Sequence, residues 1–226
     1  MLTTQYFQHR YVPAKQKTDR EKVVVVLHGL GDSLRGFSFL PDALRIDGFS
    51  YLMLNAPDEY YGGFSWYDFQ GDKESGVRRS RSLLLKLLEE LKEQGVAARD
   101  IFFFGFSQGC LIACDLGLRA PEILGGICGV SGYMVMMDEY PEQFSSVAKK
   151  QHFLICHGHS DPMVPFEPAA KQFQKLHGMG VNIEFRAYDK VHTILQEELN
   201  DIAAWFRSAS IRPDGPTQPS PLRSSP

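Results

Sequence analysis

Short runs of β-branched, aromatic and aliphatic residues recur along the chain, separated by longer stretches in which apolar residues return every third or fourth position. The short runs predict strands near 5–12, 22–28, 50–55, 101–106, 125–130, 152–157 and 181–188. Val23-Val24-Val25-Val26-Leu27 and Ile101-Phe102-Phe103-Phe104 are continuously apolar, as in strands covered on both faces. Leu84, Leu87, Leu88 and Leu91 share one stripe of a helix over about 74–94, and Leu195, Leu199, Ile202 and Phe206 do so over about 194–207. Strand–helix alternation of this kind predicts an α/β fold, with a mostly parallel central sheet and helices on both faces. One domain is expected over 1–207. Residues 208–226 are rich in Ser and Pro, bury too little to offset their ordering entropy, and are expected to form a disordered tail.

Composition narrows the function by exclusion. The 226 residues carry 24 basic and 27 acidic side chains, well interspersed, for a net charge of −3. No concentrated basic patch points to nucleic acid or to an anionic membrane. No apolar run approaches the roughly 20 residues of a membrane span. Met1 to Arg10 has no signal-peptide core, so the expectation is a cytoplasmic protein. Cys110, Cys114, Cys128 and Cys156 lie in apolar segments without CxxC spacing, which predicts buried free thiols and suits a reducing compartment.

The sharpest chemical signal is Gly105-Phe106-Ser107-Gln108-Gly109. As a bare GxSxG pattern it is weak. Here an apolar strand runs into it and a helical run, Leu111 to Leu118, follows, which is the strand–elbow–helix setting of a serine nucleophile. Small residues at 105 and 109 let the backbone pack around the turn, and the helix aims its first amides at a developing negative charge.

A serine hydroxyl needs a base within reach, and the base needs an orienting acid. In α/β-hydrolases the chain order is Ser, then Asp or Glu, then His. Asp161 follows the strand Phe153-Leu154-Ile155-Cys156 and is the expected acid; Asp189, only three residues before the base, is its rival. His192, after the last strand, is the expected base, with His157 and His159 as rivals and His9 and His177 read as surface residues. A zinc site from His157, His159 and Asp161 is the weaker alternative. An oxyanion hole requires two backbone amides, expected from Gln108 and from Leu30 in His28-Gly29-Leu30-Gly31-Asp32, with His28 holding that loop. Trp66, Phe64 and Met134 are the expected acyl-contacting residues, with Leu30, Tyr61 and Phe69 as further apolar candidates.

Over roughly 20–207 the chain resembles the phospholipase/carboxylesterase family that includes the acyl-protein thioesterases. The matching pieces are HGLGD at 28–32, NAP at 55–57, GGFSWYDF at 62–69, GFSQG at 105–109, SGY at 131–133, HGHSDPMVP at 157–165 and VHTI at 191–194. The resemblance implies a small lidless α/β-hydrolase with a shallow acyl groove, no metal and no cofactor. It also implies the same catalytic and oxyanion roles for Ser107, Asp161, His192, Leu30 and Gln108. The sequence departs from the family at Cys110 and at Lys190-Val191, and the segment between Pro57 and Trp66 is shorter. That segment resembles the part that helps to hold the acyl chain, so a short-chain carboxylesterase is the favoured expectation. A lysophospholipase or acyl-protein thioesterase is the alternative, and a non-catalytic binding or regulatory protein a further one. The partner is then a small ester or thioester, a lipid or an acylated protein. No stretch singles out an oligomer interface.

Overall fold

The computed structural model describes residues 1–16, 18 and 20–211, so the expected tail lies outside the described residues except at its start. Strands β1 (His9–Val12), β2 (Lys22–Leu27), β3 (Phe49–Leu54), β6 (Ile101–Phe106), β7 (Gly126–Val130), β8 (His152–Gly158) and β9 (Asn182–Tyr188) form one sheet in the order β1-β3-β2-β6-β7-β8-β9. All pairings are parallel except β1 with β3, so the sheet is the expected parallel type with one antiparallel edge. β1 is shorter than the apolar run near 5–12 and is only half-buried, as an edge strand is. A separate antiparallel hairpin, β4 (Asp58–Tyr60) with β5 (Gly63–Ser65), has no apolar alternation to announce it.

Alternation along the strands divides the core in two. Val23, Val25, Leu27 and Phe103 face one layer, shared with α2 (Lys73–Glu93), α3 (Gln108–Arg119) and α4 (Phe166–Gly178). Val24, Val26, Phe102 and Phe104 face the other, shared with α1 (Leu40–Leu44) and α5 (Gln196–Ala209). Burial on both faces explains why these runs carry no polar residue. The leucine stripe of α2 starts where Asp72 caps the helix by accepting from the Ser75 amide at 3.0 Å. It stops at Gly95, whose φ of 90° is the left-handed conformation of a helix terminus. α4 was not apparent in the sequence because its buried stripe is thin: Ala169, Ala170, Phe173 and Leu176.

The parallel strands end at one edge, and the segments that leave them there are 28–32, 55–57, 107, 131–133, 159–165 and 189–195. The tightest point is the start of α3. A Cβ on Gly109 would overlap the carbonyls of Leu27 and His28, and one on Gly105 would overlap the Gly109 carbonyl. Alanine is the better helix former by about 1 kcal/mol. Gly109→Ala is nevertheless expected to destabilise the fold by at least about 1–3 kcal/mol, because overlap with backbone cannot relax as a side chain does. Denaturant unfolding of the two proteins measures this, and an unchanged midpoint would contradict the close crossing.

Candidate active site

The turn from β6 into α3 puts Ser107 at φ 54°, ψ −114°, a conformation that non-glycine residues avoid. It is held there by the bond from the Ser107 amide to the Val130 carbonyl at 2.9 Å. Gln108 is the first residue of α3, where backbone N–H groups have no partner inside the helix. Its buried side chain is bolted to the end of β5 and the segment after it. Its Oε1 accepts from the Trp66 amide at 3.0 Å and the Ser65 hydroxyl at 3.2 Å, and its Nε2 donates to the Tyr67 carbonyl at 3.2 Å.

The 28–32 loop lies against the same turn: a Cβ on Gly29 would stand 3.3 Å from the Ser107 Cβ. His28 fixes this loop from beneath. Its Nδ1 donates to the Gly29 carbonyl at 2.6 Å and its Nε2 accepts from the Ala56 amide at 3.0 Å, which requires the neutral ring. Burial pushes its pKa down, in keeping with that role. Trp66 Nε1 donates to the His28 carbonyl at 2.9 Å. The Gly31 amide donates to the Phe64 carbonyl at 2.9 Å, and the Phe64 amide to the Asp32 carbonyl at 2.8 Å. The bonds that pin the loop thus run on either side of Leu30, which is half-buried.

Asp161, 5% exposed, sits in the loop after β8. Its Oδ1 accepts from the amides of Met163 and Val164, both at 2.9 Å, and its Oδ2 lies 2.8 Å from His192 Nδ1. Burial alone would raise the carboxyl, but the Val164 amide and the His192 ring outweigh it and hold Asp161 below the usual carboxylate range. The His192 ring packs on Phe106, the neighbour of Ser107, with centroids 4.9 Å apart. The rivals are placed otherwise. Asp189 is exposed. His157 is buried, with Nε2 2.9 Å from the Val164 carbonyl, so it braces the acid loop. His159 is exposed and packs on Phe166 at 4.4 Å, and among the described residues no three His, Cys, Asp or Glu side chains are grouped to hold a metal ion. His9 and His177 are half-buried in β1 and α4, not fully at the surface.

The acyl candidates divide. Trp66 is 0% and Met134 2% exposed, so both are packing residues here and offer no surface to a substrate. Their sequence context did not reveal this, since an aromatic or Met beside a loop reads alike in core and groove. Phe64 is half-buried, and Tyr61 and Phe69 are exposed. All four cysteines are buried and unpaired. Among the described residues no helix is long and apolar enough to cross a membrane.

Comparison with known proteins bears on this arrangement. A family model for phospholipase/carboxylesterase matches residues 9–210. Acyl-protein thioesterase 1 of Yarrowia lipolytica is 29% identical over 215 residues, covering 86% of this chain and 94% of that protein. A probable inactive carboxylesterase of Oryza sativa subsp. japonica is 28% identical over 213 residues, covering 85% and 86%. Among solved structures, esterase PE8 superposes with a TM-score of 0.81 at 28% identity, covering 90% of this chain and 99% of that one. The chain belongs to the phospholipase/carboxylesterase family and is an ester hydrolase of the α/β-hydrolase fold.

Proposed function

We propose that this protein hydrolyses carboxylic esters, those of short acyl chains best, through Ser107, His192 and Asp161. The observation that carries the reading is the 2.8 Å contact between Asp161 and His192 Nδ1, beside a serine in a strained strand-to-helix turn. With Asp161 ionised, Nδ1 carries the ring proton and Nε2 is left as the base. His192 takes the Ser107 proton as the hydroxyl oxygen attacks the ester carbonyl. The oxyanion lies against the Leu30 and Gln108 amides, each worth about 3 kcal/mol in such a site. His192 then protonates the leaving alcohol or thiol, and the acyl–serine bond is cleaved by water activated by the same ring. The packing of Trp66 and Met134 into the core supports a shallow acyl site, with Phe64 as its apolar contact.

The Yarrowia lipolytica relative's name favours an acyl-protein thioesterase instead, and the rice relative's a chain without activity. Hydrolysis of p-nitrophenyl esters from two to sixteen carbons separates these. The expected optimum is at short chains; an optimum at long chains would replace the short-chain reading with the thioesterase or lysophospholipase one. No turnover and no fluorophosphonate labelling of folded protein would leave the regulatory reading. Ser107→Ala is expected to lower kcat by at least about 10⁴-fold while the protein stays folded.

The ionisation of Asp161 has a pH signature. A depressed carboxyl stabilises the fold above its unfolded pKa, about 3.9, and loses that contribution as pH falls through the folded value. The melting-temperature difference between wild type and Asp161→Asn is therefore expected to be constant from about pH 5 to 8 and to narrow below about pH 4. A difference that narrows already near neutrality would show that the carboxyl is not held low.

A further inference from the structure

Two residues before His192 the chain buries a charge. The Lys190 side chain is 0% exposed, and so is that of Glu198 in the first turn of α5. Lys190 Nζ donates to Glu198 Oε1 at 2.6 Å and Oε2 at 2.8 Å, to the Thr193 carbonyl at 2.8 Å and to the Ser131 hydroxyl at 3.3 Å. Its carbonyl accepts from the Ser160 amide at 3.1 Å, and a Cβ on Gly158 would overlap it. Glu198 Oε2 also accepts from the Leu195 amide at 3.1 Å, fixing the far end of the loop that carries His192.

Each of these partners adjoins a segment of the proposed triad. Thr193 follows His192, and Ser160 precedes Asp161. Ser131 follows Val130, whose carbonyl holds the Ser107 amide. Ser131 is itself fixed, at φ 52° and with its amide on the Cys156 carbonyl at 2.8 Å. A buried ion pair is a poor means of stabilising a fold, since apolar residues of similar size do as well or better. What it supplies is direction: one ammonium group joins Thr193 of its own loop, Ser131 just after β7 and Glu198 of α5. Glu198 keeps the site tolerable for catalysis, because an unneutralised cation beside His192 would oppose the imidazolium.

We infer that Lys190 is a positioning residue for the reaction, its side chain holding the His192 loop, the start of α5 and the residue after β7, behind Ser107, in one register. The inference rests on the triad reading above. Lys190→Met alone strands a buried carboxylate, so the informative variant replaces the pair, Lys190→Met with Glu198→Leu. It is expected to fold and to bind one fluorophosphonate per chain, but to label more slowly, with kcat lower by about tenfold or more and KM within about twofold. A folded pair variant with wild-type kcat and labelling rate would reduce Lys190 to packing. If the pair variant does not fold, Ser131→Ala, which removes only the link to β7, carries the test. There kcat is expected to fall about threefold or more at unchanged KM and melting temperature, and wild-type kcat would overturn the inference. Ser107→Ala, run in parallel, keeps the two readings apart. Turnover surviving in it would sink the triad and this inference together, whereas an inactive Ser107→Ala beside a fully active folded pair variant would sink this inference alone.

Discussion

The contact on which the site depends is one of backbone against backbone. α3 begins so close to the end of β2 that Gly109 has no room for a side chain against the Leu27 and His28 carbonyls. With Gly105 closing the crossing from beneath, the one residue between strand and helix that stands clear is Ser107, and it does so at positive φ. Strain of this kind persists only where surrounding structure over-determines it. Here the Val130 carbonyl, the Gln108 side-chain anchors and the 28–32 loop supply that constraint. The same crossing brings Gly29 against Ser107, so the loop proposed to bind the oxyanion and the proposed nucleophile share one geometric origin.

Around this point three buried polar side chains tie separate segments together. His28 joins the Gly29 carbonyl to the Ala56 amide, Gln108 joins α3 to the end of the hairpin and the segment after it, and Asp161 joins its own turn to His192. Each such group would cost a few kcal/mol if left unpaired in a dry interior. The cost of misplacement is what gives the edge of the sheet a single arrangement.

The sheet was legible from sequence because its strands are buried on both faces, so that Val23–Leu27 and 101–104 stand out as unbroken apolar runs. α2 was legible from its leucine stripe and its Asp72 cap. The hairpin was not, since Asp58–Tyr60 and Gly63–Ser65 are held by pairing with each other and with the 28–32 loop, not by an apolar face. The Asp161–His192 pair could be guessed from chain order and loop position, because serine chemistry demands an orienting acid and the α/β-hydrolase order places it before the histidine. Glu198 left a fainter trace. It sits among Leu195, Leu199 and Ile202 on the apolar stripe of α5, and a carboxylate there calls for a buried cation. Lys190 stood out only as a departure from the family pattern. Trp66 and Met134 show the limit: exposure depends on what packs over a residue, which local sequence does not state.

The pairing of Phe64 with the 28–32 loop has a consequence for redesign. Both backbone groups of Phe64 are spent on Gly31 and Asp32, directly after Leu30, while its half-buried side chain is the proposed acyl contact. On the proposed reading, selectivity and turnover are therefore mechanically geared together. A library that randomises the hairpin to reach new acyl groups would also perturb the strut beneath the proposed oxyanion loop. Exchanging side chains on a retained hairpin backbone is the gentler route to altered specificity.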